Sequence, residues 1–153
     1  MREMMKHLRP EELVCVLGDD CEPGKNWLKI LIDTFHEKFP DGDGLVQPND
    51  MFWKGKLASF PVATAGYLLK WAYSGYTHNF CDEELAETAK VRDKFVWVPE
   101  SEIHHRHYSN TEGVKHDETY KLETLSAEKD KKLFIERRDV SGNFQDISKL
   151  KYD

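Results

Sequence analysis

The sequence predicts an α/β domain, an open sheet covered by helix. Three observations carry this. Leu13 to Leu17 (LVCVL) is a continuous apolar run, the pattern of a strand buried on both faces. From Lys25 to Phe39 the residues Leu28, Ile32, Phe35 and Phe39 recur in steps of four, three and four, which is one helix face, and Trp27 and Leu31 widen it. Lys94 to Pro99 (KFVWVP) has the aromatic and β-branched make-up of a second strand.

A chain of 153 residues suffices for one domain with its own core. With 22 basic against 28 acidic side chains the formal charge is −6, so there is no electrostatic footprint for nucleic acid. An anionic substrate would need a metal or a local basic cluster. MREMMKHLRPEE has no signal-peptide core, and no later run reaches bilayer-spanning length. Cys15, Cys21 and Cys81 are odd in number and lack CxxC spacing, which points to free thiols. A soluble chain in the reducing cytoplasm is the expectation.

In chain order, Met1 to Glu12 is a polar lead-in or a short helix ending at Arg9-Pro10. The apolar run 13–17 then meets Gly18, Asp19 and Asp20. At the carboxyl end of a strand two acids can hold a cation, although DD followed by Pro-Gly also makes a turn and caps the next helix. Pro40 and DGDG close the first helix, and Leu45 to Pro48 returns as a strand. Asn49 to Lys56 (NDMFWKGK) reads as a loop lining a pocket, or as a surface turn with one aromatic anchor. Leu57 to Tyr73 is a strand followed by a buried helix. Gly75 to Phe80 is a connector carrying His78, after which Asp82, Glu83 and Glu84 open a helix with acid in its first turn. The second strand leads into His104, His105 and His107, and the charged, Pro-free stretch from Asp117 to Asp139 reads as exposed helix.

Paired acids after one strand, an acid at a helix start and histidines after another strand stand in the order they would occupy around one crevice. Carboxylates suit magnesium or manganese, manganese tolerates imidazole best, and diphosphate oxygens can complete the shell. A separate carboxylate could accept a proton from an incoming hydroxyl.

These motifs resemble those of family 2-like glycosyltransferases of the GT-A fold, which move a sugar from a nucleotide diphosphate donor. VLGDDCEPGKNWL is similar to the strand bearing the family's DxD-type metal motif, Phe80 to Leu85 (FCDEEL) to its EDxDL motif, and VPESEIHHRHY to its late strand and histidine. LVQPNDMFW and the stretch from Phe60 to Phe80 are weaker echoes of the segment that receives donor sugar and acceptor, and Lys115 to Tyr120 of a C-terminal acidic segment. The resemblance implies Asp82 as catalytic base, Asp20 and His105 as ligands of Mn2+ or Mg2+ with His107 as the alternate, and Asp19, Asn49, Asp50 and Trp53 as substrate contacts. It implies a GT-A-like mixed sheet flanked by helices, an αβα sandwich in truncated form, and a nucleotide-sugar donor and an acceptor hydroxyl as partners.

Three departures qualify it. Gly18 stands where a full DxD has its first acid, no QxxRW follows, and about a dozen residues precede the metal motif where family members have a nucleotide-binding half. The expectation is therefore that residues 1–153 form the metal and acceptor half of such a domain, with 117–153 a peripheral helical tail. A strand at Leu13 buried on both faces would then need cover, so a homo-oligomer is expected. A glycosyltransferase-derived interaction domain without catalysis is the alternative. A metal hydrolase or structural metal site built on His104, His105, His107 and His116 is a third reading, in which the adjacent first pair points to opposite faces of a strand.

Overall fold

The computed structural model describes residues 2–106, 112 and 118–152, with the backbone alone for 2, 3 and 118–124. The order is α1 (Arg2–Met5), β1 (Leu13–Cys15), β2 (Cys21–Pro23), α2 (Trp27–Lys38), β3 (Leu45–Asn49), β4 (Val62–Thr64), α3 (Ala65–Trp71), α4 (Cys81–Val91), β5 (Phe95–His105) and α5 (Glu118–Val140), with a 3-10 turn at Ile147–Lys149. His107, His116 and Lys115, which figure in the metal and acidic-segment readings, lie outside the described residues.

The strands form one mixed sheet in the order β1-β4-β3-β5-β2. β3 and β5 pair in parallel, and the other pairs are antiparallel. Side chains alternate across it, as the pleat requires. Val46, Val62 and Val98 face α2 and meet Leu31, Phe35 and Phe39. Leu45 and Ala63 face the other way, into a core built with Leu68 of α3, Leu85 and Ala89 of α4, and Met5 of α1. The sequence is thus a mixed α/β fold with helical cover on both faces of the sheet.

The helices end as local chemistry dictates. Thr64 caps α3 by accepting the Tyr67 amide at 3.1 Å. The lead-in also serves this helix, because the carbonyls of Glu12 and Pro10 accept the amides of Ala65 and Gly66 at 2.8 and 2.9 Å. In α2 the buried stripe is Leu31 and Phe35, continued by Phe39 just past its end, whereas Leu28 is exposed.

The strand at Leu13 corrects the expectation of burial on both faces. Among the described residues β1 is an edge strand, paired only with β4 across three residues, and all three are half-buried. The central place belongs to β3, whose Leu45, Val46, Gln47 and Pro48 are all buried. A proline in a central strand removes a ladder donor. Here the β3–β5 register jumps between Pro48 and Asn49, so the break falls beside the proline.

Residues 117–153, read as exposed and peripheral, are also corrected. Asp130, Phe134 and Arg137 of α5 are buried, as are Ser141 and Phe144 beyond it. Phe134 stacks on Phe80 at 5.1 Å and touches Phe144 at 5.4 Å, so this segment closes over the start of α4. Among the described residues no helix is long and apolar enough to cross a membrane.

Candidate functional site

β1 and β3 both run antiparallel to β4, and β5 runs parallel to β3, so β1, β3 and β5 share one direction. Their carboxyl ends open on one edge of the sheet, the usual place for a ligand crevice in an open α/β sheet. Asp19 and Asp20 follow β1, Asn49 ends β3 with Asp50 next to it, and His104 and His105 end β5. A cavity of about 360 Å³ lies at this edge, lined by Asp50, Met51, Phe52, His104, His105, Arg106 and Glu112.

Asp20 and His105, 85 positions apart, meet there: Asp20 Oδ2 is 3.2 Å from His105 Nε2. The β2–β5 ladder brings them together by placing Cys21 opposite His105, and the Arg106 amide donates to the Asp20 carbonyl at 2.7 Å. Phe60 packs edge-on against the His105 ring at 5.0 Å. Gly18 now has a geometric reason, since a Cβ there would stand 2.6 Å from Asp20 Oδ1. An acid at position 18 and this orientation of Asp20 exclude each other. Asp19 is exposed. Among the described residues no group of three His, Cys, Asp or Glu is placed to hold a metal ion.

Asp50 was expected to touch substrate, but its carboxylate is committed to the protein. It is 1% exposed; Oδ1 accepts the amides of Phe52, Trp53 and Lys54 at 3.1, 2.7 and 3.0 Å, and Oδ2 accepts the Ser59 hydroxyl at 2.8 Å. Asn49 is engaged as well: its Oδ1 accepts the Met51 amide and its Nδ2 donates to the Pro99 carbonyl. The effect is a fixed loop that holds Met51, Phe52 and Trp53 out in water at 45, 43 and 38% exposure, with Phe52 and Trp53 edge-to-face at 4.7 Å. Met51, Lys54 and Gly55 all have positive φ, and a Cβ on Gly55 would come within 2.6 Å of Trp97 Cγ. A Gly55→Ala variant should therefore lose about 1–3 kcal/mol in urea denaturation, and an unchanged midpoint would show that the loop yields freely.

Asp82 sits in the first turn of α4, half-buried, with the Glu83 amide donating to its Oδ1 at 2.9 Å. Burial pushes its carboxyl above the ordinary aspartate value and the Asp50 charge adds to this, while the Glu83 amide, its own amide and His78 pull it down. Asp82 is therefore close enough to Asp50 to feel its charge, although it is not among the described residues that line the cavity. A carboxyl raised by its surroundings is suited to taking a proton.

The residues behind Asp82 escaped the sequence. Glu84 is buried and doubly paired with Arg137: Nε donates to Oε2 at 2.8 Å and Nη2 to Oε1 at 2.7 Å, while the Tyr76 hydroxyl donates to Oε2 at 2.6 Å. The Arg137 guanidinium lies 3.5 Å from the Tyr73 ring centroid. Asp130 accepts the amides of Thr77, His78 and Asn79 at 2.8–3.1 Å. Burial alone would raise the Asp130 carboxyl, but these hydrogen bonds outweigh it and hold it below the usual value. Its contribution to stability is accordingly in place above the ordinary aspartate range and is lost as pH falls through the depressed value. The available signal was the spacing of 130, 134, 137 and 141, in steps of four, three and four along one helix face.

Comparison with protein-family models, curated proteins and solved structures finds no match to this chain.

Proposed function

We propose that this chain carries the metal and acceptor side of an inverting glycosyl transfer from a nucleotide diphosphate sugar. One observation supports this above the others: Asp20 and His105 come within 3.2 Å at the edge where β1, β3 and β5 all end. The two offer one carboxylate and one imidazole, a donor set that manganese accepts, with ligand oxygens and water left to complete the shell. Mn2+ or Mg2+ bound by Asp20 and His105 would supply charge neutralisation for the departing diphosphate.

The remaining chemistry belongs to the chain. The acceptor oxygen forms its bond to the anomeric carbon as the bond from that carbon to the diphosphate oxygen breaks, and the hydroxyl proton passes to the Asp82 carboxylate. A single displacement inverts the centre. Phe52 and Met51 in the cavity wall, with Trp53 beside them, present apolar faces to a sugar ring; Asn49 holds the Met51 amide and Asp50 those of Phe52 and Trp53. Rigid placement of the contacting groups lowers the entropic cost of orienting an acceptor.

Manganese chloride should raise the melting temperature of the protein. A ligand bound only by the folded state at a hundred times its Kd adds about 2.7 kcal/mol, on the order of 5–10 °C for a chain of this size. Asp20→Ala and His105→Ala should each remove most of that shift, with His78→Ala as the control that keeps it. An equal response in all four proteins would end the assignment.

A further inference from the structure

The chain buries three charged side chains, Asp130, Glu84 and Arg137, where α5 meets α4, and their contacts span the segment from Thr77 to Glu84. Apolar side chains of similar volume would pack such a contact at least as stably. What charged groups add is direction. The Asp130 carboxylate takes three consecutive backbone amides, those of Thr77, His78 and Asn79, and so fixes the path of the connector. Phe80, next in line, is left-handed at φ 68 and lies stacked on Phe134. Beyond the helix start, Arg137 grips both oxygens of Glu84, and its Nη1 donates to the Lys151 carbonyl at 3.1 Å.

These contacts bracket Asp82 without touching it. Residues two apart on an α-helix stand about 200° apart around the axis. A bidentate pair that turns Glu84 toward α5 therefore turns Asp82 away from α5, and Asp82 is on the side where the Asp50 charge reaches it. Rotation of α4 and the position of its first turn are both set from α5.

We propose that α5 is the positioning device for Asp82: Asp130 fixes the backbone before it, and Arg137, acting through Glu84, fixes the helix turn after it. Asp130, Arg137 and Glu84 are positioning residues, and this role rests on the reading of Asp82 as the base.

The test is the titration of the Asp82 carboxyl carbon followed by NMR, with the resonance assigned by its loss in Asp82→Asn. His78, Cys81, Glu83 and Asp50 are ionisable neighbours electrostatically coupled to Asp82. Asp130→Asn keeps the size of the side chain and removes its charge; Arg137→Lys keeps a cation beside Glu84 and gives up the bidentate grip. With the connector or the helix turn loosened, water reaches Asp82 and its midpoint should fall toward the ordinary aspartate value. Where Asp130→Asn does not fold, Arg137→Lys decides, with a fall in the same direction expected. A folded variant in which Asp82 titrates as in the wild type overturns the proposal. Failure of the glycosyltransferase reading shows elsewhere, as a missing manganese shift at Asp20 and His105, which neither variant alters.

Discussion

Asp82→Asn should raise the melting temperature of this protein and, on the proposed reading of Asp82 as the base, lower glycosyl transfer about 10²- to 10⁴-fold in a form that turns over. The two effects have one cause. Burial raises the Asp82 carboxyl above its unfolded value, so the fold favours the protonated form. The stabilisation this represents is fully present below the ordinary aspartate value near 3.8 and is lost as pH rises through the raised folded value. Once the carboxyl ionises, the fold holds a charged group that it would hold more easily neutral. Asparagine removes that penalty, and Glu83 and Glu84 keep acid in the first turn of α4, so the favourable interaction with the helix N-terminus is largely retained. Melting temperatures of wild type and variant, measured from pH 4 to pH 8, should diverge as pH rises. Loss of donor affinity instead of turnover would remove Asp82 from the role of base, and a variant less stable at pH 7 would contradict the burial argument.

Arg137→Ala should cost about 3–5 kcal/mol, because it leaves the Glu84 carboxylate buried without its partner. The Glu84 side chain is 2% exposed and that of Arg137 9%, so solvent screens neither. The Tyr76 hydroxyl still donates to Glu84, but one neutral hydrogen bond does not replace a bidentate guanidinium. Loss of the cation over Tyr73 adds to the effect. A loss of this size is a large share of the whole stability of a small domain. The double variant Glu84→Gln, Arg137→Met should recover most of it, because no buried charge is then unpaired. Urea denaturation of Glu84→Gln, Arg137→Met and the double variant closes the cycle. A single-variant loss under about 1 kcal/mol would place the pair with exposed ion pairs, which contribute that little.

Much of the fold and part of the site were legible in the residues alone. The period of α2, the composition of β5, the acids opening α4 and the order strand, helix, strand are local properties, written within a dozen residues each. The nearness of Asp20 and His105 is not a local property; the resemblance implies one place for both, and the two stand 3.2 Å apart. Three things were decided only by tertiary structure. An apolar run does not say whether it has one neighbour or two, so Leu13 read as central and is an edge, while β3, with Gln47 and Pro48 inside it, is central. A carboxylate after a strand does not say whether it faces a ligand or its own loop, and Asp50 faces its loop because the backbone of residues 52–54 turns three amides onto it. The interior face of α5 was hidden because two of its members, Asp130 and Arg137, are charged. Hydrophobic periodicity reports a buried face only when burial is apolar. A charge can be buried when a partner meets it, and the partners, Glu84 and the amides of residues 77–79, are more than fifty positions away on average along the chain. Such a match exists only once both segments are folded.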